Sequence, residues 1–192
     1  MIPIKTVDGS RSTGPDLAAP LPLKKGQMHL LLEERPSTAY SVLRRFLRPK
    51  DHEIPFEDDL GQNKNVSSHA LVITRKFPPD LAKDQDLAQI PIYWLTTNLR
   101  QDQRTISPSA IPRLNLLVTE FILQNLDSLI VIDCLEYLIT QNSFEVVLRL
   151  IQAWNDKIVD TKARILLSVD PLTLTIQQLH LIKKECLDLS IS

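Results

Sequence analysis

The run Leu129-Ile130-Val131-Ile132 constrains this chain more than any other feature. It is apolar at every position and does not alternate, so a strand made from it buries both faces. Such strands lie in the middle of parallel sheets covered by helices on either side. A parallel neighbour needs a crossover of a dozen residues or more. The sequence downstream supplies one. Ser143 is placed to cap a helix whose apolar stripe is Phe144, Val147, Leu148, Ile151 and Trp154. Ile165-Leu166-Leu167-Ser168-Val169 then reads as the next strand. The pattern predicts adjacent parallel strands at 129–132 and 165–169, joined by a helix over 143–157.

The same alternation runs through the rest of the chain. Met28-His29-Leu30-Leu31-Leu32 reads as a first strand. Pro36 and Ser37 open a helix with Ala39, Val42, Leu43, Phe46 and Leu47 on one face, and Pro49 ends it. Ala70-Leu71-Val72-Ile73-Thr74 is a second strand, Pro78-Pro79 a turn, and Ile92-Tyr93-Trp94-Leu95-Thr96 a third strand. A helix starts near Ser109, which can cap it, with Pro112 in its first turn and Ile111, Leu114, Val118, Phe121 and Ile122 inward. Thr175 and Gln178 form a capping box for a last helix that turns Ile176, Leu179 and Ile182 inward. Residues after Cys186 can add a short edge strand. The expectation is an α/β fold, a mostly parallel open sheet of about five strands with helices on both faces. Residues 1–27, with several prolines and no period, read as a flexible arm, and 28–192 as a single α/β domain. Within it, 49–68 is an insertion too long for a plain connector. It carries Asp51, Glu53, Glu57, Asp58 and Asp59.

Composition narrows the function. The 192 residues are 43% apolar, enough for one ordinary core without a staple, and the net charge of −1 argues against a polycation that seeks nucleic acid. No stretch approaches the ~20 apolar residues of a membrane span, and the N-terminus lacks a signal-peptide core. Cys134 and Cys186 read as buried, reduced thiols, so the expected address is the cytoplasm. His29, His52, His69 and His180 are scattered, and no Cys-x-x-Cys or His-x-x-x-His occurs, so no metal or cofactor is expected. No Gly-x-Ser-x-Gly elbow is present.

In an open parallel sheet, ligands bind outside the carboxyl ends of the strands. Those ends deliver the ligand-rim candidates Glu33, Glu34 and Arg35, then Thr74 and Arg75, then Thr96, then Asp133 with Glu136 one turn later, and Asp170. Strand exits are polar in any fold, so this list describes a place more than a chemistry. A phosphate-binding loop needs glycines, whose amides cradle oxygens, and a lysine. The turn Glu33-Glu34-Arg35-Pro36-Ser37 has neither, so ordinary phosphate-loop hydrolysis is not expected. Arg44, Arg45 and Arg48 lie opposite the apolar stripe of the first helix. They are docking candidates for an acidic partner or for the chain's own 51–59 stretch.

Several stretches, taken in order, resemble the DUF835 family, a domain of unknown function found mostly in archaea. They are Leu31-Leu32-Glu33-Glu34-Arg35-Pro36, Val72-Ile73-Thr74-Arg75 with Pro78, Ile92-Tyr93-Trp94-Leu95, and the run from Ile132 to Ile139. Asn142-Ser143-Phe144-Glu145 and Ser168-Val169-Asp170-Pro171 complete the set, which spans about 28–186. The resemblance implies a RecA/KaiC-type core that has lost its phosphate loop, often fused to sensory modules. It places Asp133 where active relatives hold a magnesium-bound water. On this basis the chain is expected to be a non-catalytic interaction or signalling module, with a signalling protein or KaiC-like ATPase as partner, or a second copy of itself. The alternatives are a nucleotide or small-molecule binder using the polar rim, and a nucleic-acid accessory.

Overall fold

The computed structural model describes residues 23–48, 69–100 and 103–189. Seven strands form one sheet: β1 (Gln27–Leu32), β2 (His69–Thr74), β3 (Ile92–Leu95), β4 (Thr105–Ile106), β5 (Ser128–Ile132), β6 (Arg164–Val169) and β7 (Leu187–Asp188). Among the described residues six α-helices accompany them: α1 (Ser37–Leu47), α2 (Pro78–Leu81), α3 (Ile111–Gln124), α4 (Leu135–Gln141), α5 (Phe144–Ile158) and α6 (Ile176–Glu185). The strand order is β4-β3-β2-β5-β6-β1-β7, and every pairing is parallel.

The central unit has the expected form. β5 pairs with β6, Leu129 opposite Arg164 and Ile132 opposite Leu167, and α5 crosses between them. All five residues of β5 are buried. Its side chains alternate between two cores. Ile130 and Ile132 join Leu71, Ile73, Ile165 and Leu167 under α3, α4, α5 and α6. Leu129 and Val131 join Val72 and Leu166 under α1, whose Ala39, Tyr40, Leu43 and Phe46 close the other face. Each such buried aliphatic side chain contributes roughly 1.5–3 kcal/mol from leaving water, which is why the alternation is so strictly kept.

Several details differ from the sequence expectation. The sheet has seven strands because β4 and β7 are two-residue edges, too short to show a period, although an edge after Cys186 was foreseen. α3 starts at Ile111 behind Ala110, and Ser109 does not cap it; its hydroxyl meets that of Ser107 at 2.9 Å. The segment after Asp133 forms α4, and Pro78-Pro79 begins a single helical turn. Ser143 and the Thr175–Gln178 box do cap α5 and α6. Ile176, however, is 79% exposed, and α6 turns in Leu179, Leu181 and Ile182 instead. Of the residues read as an arm, 1–22 lie outside the described residues, whereas Leu23 is buried against the α1 core. The 49–68 insertion also lies outside the described residues.

Order at the lower edge depends on Gly26. Its φ is +67°, and an added Cβ would meet the Val159 carbonyl oxygen at 2.9 Å and that of Thr161 at 3.0 Å. Glycine alone fits there. Beyond it, His29 is fully buried, and its Nε2 accepts a hydrogen bond from the Lys24 amide at 2.9 Å. Burial lowers its pKa to about 4.

Candidate functional site

The chain order reverses twice across the sheet, and each reversal opens a place at the carboxyl ends of the strands. β1 leads to α1 on one face while its neighbour β6 leads to α6 on the other. β2 leads to α2, whose Leu81 packs with the α1 core, while its neighbour β5 leads to α4 on the opposite face.

At the β1/β6 reversal the site is filled from within. The Glu33 carboxylate accepts the Thr38 amide at 2.8 Å and the Ala39 amide at 3.1 Å, and Ser168 Oγ donates to it at 2.8 Å. Proline at position 36 offers no side-chain cap, so Glu33 satisfies the free amides of the first turn of α1. A helix N-terminus is a ready anion site, and here the anion is the protein's own.

At the β2/β5 reversal a buried acid sits under a lid of hydroxyls. Asp133 Oδ2 accepts Tyr40 Oη at 2.8 Å and Thr74 Oγ1 at 3.0 Å. The Lys76 amide in turn donates to Thr74 Oγ1 at 2.9 Å. Asp133 Oδ1 is buried without a partner among the described residues. Burial pushes the Asp133 carboxyl above its usual range, against the opposing pull of Thr74, Tyr40 and the Lys76 charge. Burial and the adjacent carboxylate push the Tyr40 phenol up as well. Around this acid stand cations on aromatic supports. The Arg75 guanidinium lies 4.1 Å over the Tyr137 ring, Lys76 Nζ 4.5 Å over Tyr40, and Arg100 5.9 Å over Phe77. Phe77 meets Trp94 edge-on at 5.2 Å, and Trp94 Nε1 donates to the Arg75 carbonyl at 3.2 Å.

The family model of DUF835, a protein family of unknown function, matches residues 53–186. The chain belongs to the DUF835 family. No curated protein matches it. The match covers Asp133, Thr74 and the cations, and leaves β1 and α1, with Glu33 and Tyr40, before its start. The Leu31–Pro36 stretch that contributed to the resemblance therefore lies outside the matched span.

In this DUF835 chain the rim candidates do not form one cluster. Thr74, Arg75 and Asp133 meet at the β2/β5 reversal. Glu136 Oε1 accepts the Asp170 amide at 2.7 Å, and Asp170 Oδ1 accepts the Leu172 amide at 2.9 Å, so both close the β6 exit. Burial raises the Glu136 carboxyl, against its own hydrogen bonds. Thr96 is buried and accepts the Asn98 amide at 3.1 Å, a local turn away from the acid. Glu34 and Arg35 are exposed and outside both groups. Cys134 is buried, its thiol donating to the Ile73 carbonyl at 3.4 Å and pushed well up by burial, as for a packed core thiol.

The docking arginines have partners that the sequence did not suggest. Arg44 Nε meets Asp84 Oδ2 at 2.6 Å, and Arg48 Nε meets Asp86 Oδ2 at 4.0 Å. Arg45 is half-buried on the same helix. Arg44 thus pins α1 to the 82–91 segment, and it holds the Asp84 carboxyl below its usual range. The 51–59 stretch offered as their alternative partner lies outside the described residues. Tyr40, Lys76, Trp94, Tyr137 and Ser168 were missed. Tyr40 had a usable signal, since 40, 43 and 47 share a helix face, but its ring was overlooked beside the aliphatic stripe.

Two shallow concavities are seen among the described residues, the first starting beside Phe77 at Pro78. One of about 510 Å³ is lined by Pro78, Pro79, Leu87, Ile92 and Arg104, and one of about 340 Å³ by Ile111, Asn115, Arg149 and Leu150. Among the described residues no three His, Cys, Asp or Glu side chains group to hold a metal, and no helix is long and apolar enough to cross a membrane.

Proposed function

We propose that this chain is a non-catalytic interaction or regulatory module, built on a RecA/KaiC-like core whose phosphate position is closed by its own glutamate. The observation that carries the reading is the Glu33 carboxylate on the α1 amides. An incoming phosphate would have to displace a covalently tethered anion that already makes two amide bonds and a hydroxyl bond. The turn that presents Glu33 has no glycine and no lysine to help it. Asp133, which by resemblance holds a magnesium-bound water in active relatives, is here engaged by Tyr40 and Thr74. The free thiols Cys134 and Cys186 fit a reducing, cytoplasmic setting. A signalling protein, a KaiC-like ATPase or a second copy is the partner class this reading asks for.

The test is nucleotide challenge of the full chain. ATP, ADP and GTP with magnesium should leave its melting temperature unchanged, and phosphate release should stay at background. Turnover that disappears in Asp133→Asn would overturn the reading and restore a working nucleotide site.

A further inference from the structure

We propose that the corner made by Arg75, Lys76, Phe77 and Arg100 docks the acidic 51–60 stretch of a second copy of this chain. Three exposed cations follow the ends of β2 and β3, each laid on an aromatic ring: Arg75, which also donates to the Leu95 carbonyl, on Tyr137, Lys76 on Tyr40, and Arg100 on Phe77. Among the described residues no carboxylate stands within ion-pair distance of any of them, although Lys76 feels the buried Asp133 through space. Elsewhere the chain neutralises such groups directly, as Arg44 with Asp84, Arg164 with Asp127 and Lys183 with Asp188. The corner also shows apolar surface, with Phe77 38% and Leu99 56% exposed. Arginine, aromatic rings and an exposed leucine together have the composition of an interface centre more than of a solvated face.

The fitting occupant combines carboxylates with large apolar side chains. Residues 51–60 read Asp-His-Glu-Ile-Pro-Phe-Glu-Asp-Asp-Leu, five carboxylates interleaved with Ile54, Phe56 and Leu60. The basic face nearest to that stretch in sequence, at Arg44 and Arg48, already holds Asp84 and Asp86. The stretch leaves from the end of α1 and returns at the start of β2, so both anchors lie at the amino-terminal end of the strands, opposite the corner. A second copy meets no such constraint. Nucleic acid is disfavoured by the net charge of −1. Such a contact joins different surfaces of the two copies. It therefore propagates head to tail, and it weakens as salt rises. The inference rests on the interaction-module reading only for the need of a partner.

Sedimentation velocity on the full chain tests it. At ~50 mM salt the average mass should rise between about 5 and 200 µM protein, and fall back toward monomer at ~500 mM salt. Arg75→Gln/Arg100→Gln and Glu57→Gln/Asp58→Asn/Asp59→Asn should each be monomeric alone. Mixed, they retain one good corner and one good acidic stretch, and should form a 1:1 dimer that grows no further. Should either variant fold poorly by circular dichroism, a synthetic 50–61 peptide must still dissociate the wild-type assembly. A wild-type chain that stays monomeric throughout, variants that associate like wild type, or a peptide without effect each overturn the proposal. None of these results touches the nucleotide test, so this inference and the broader reading fail separately.

Discussion

Replacing Glu33 by alanine should convert a closed position into an anion site. The side chain supplies acceptors for two helix amides, at 2.8 and 3.1 Å, and for the Ser168 hydroxyl at 2.8 Å. Loss of a cap of this type costs about 1 kcal/mol, up to ~2 in favourable geometry, and the buried Ser168 hydroxyl left without its partner adds about 1. The net loss should be about 2 kcal/mol, read from urea unfolding followed by circular dichroism. The freed amides then face solvent at the positive end of α1, where phosphate can take the place of the lost carboxylate. With a dissociation constant on the order of 10 mM, ~100 mM phosphate returns about 1.4 kcal/mol to the variant. Phosphate also strengthens burial in any protein, so the quantity that matters is the gain of the variant minus that of wild type, at matched ionic strength. Glu33→Gln, which keeps one oxygen, should fall between the two. A loss below ~0.5 kcal/mol, or equal phosphate gains in both proteins, would refute the idea that Glu33 holds the anion position.

Two further outcomes follow from the lower edge of the sheet. His29, with its pKa lowered to about 4 by burial, binds its proton less readily folded than unfolded. Its stabilising contribution is complete above about pH 6.5 and fades as pH falls toward 4, a loss of roughly 2 kcal/mol between pH 7.5 and 5. Asp133 and Glu136 carry raised carboxyls and act with the opposite sign, so the loss should be measured as wild type minus His29→Gln. A difference that does not change with pH would show that His29 does not titrate this way. Gly26→Ala forces a side chain into positive φ and into the Val159 carbonyl, and should cost roughly 1–3 kcal/mol, seen as a melting temperature lower by several degrees. An unchanged melt would mean that the 23–26 segment relaxes freely.

How much the sequence discloses depends on the kind of interaction. β5, β6 and α5 were legible because their burial is periodic and local, one side chain at a time. The Ser143 and Thr175–Gln178 caps were legible for the same reason, since the partners lie three residues apart. Glu33, Thr74, Arg75 and Asp133 were legible only as strand exits. Their chemistry comes from separations of 93 residues, for Tyr40 with Asp133, and 135, for Ser168 with Glu33. No local pattern encodes such pairs. The aromatic supports carry no local pattern, since aromatic residues are five per cent of the chain and these lie far apart along it. Topology gathers Tyr40, Phe77, Trp94 and Tyr137 at one end of one sheet.

The two reversals in strand order therefore play unequal parts. At β1/β6 every contact of Glu33 satisfies a group that folding would otherwise leave unbonded, so stability alone explains that residue. Asp133 at β2/β5 has no such explanation. Burial works against its charge, Oδ1 finds no partner among the described residues, and both hydroxyls that hold Oδ2 could be satisfied by an uncharged amide. A group that local energetics disfavours is better explained by what it does to its surroundings. The Lys76 charge acts on it, and Lys76 and Arg75 are exposed at the same end of β2. The acid and the cation at the β2/β5 end are therefore linked through one side chain, Tyr40, which donates to Asp133 and carries Lys76 on its ring.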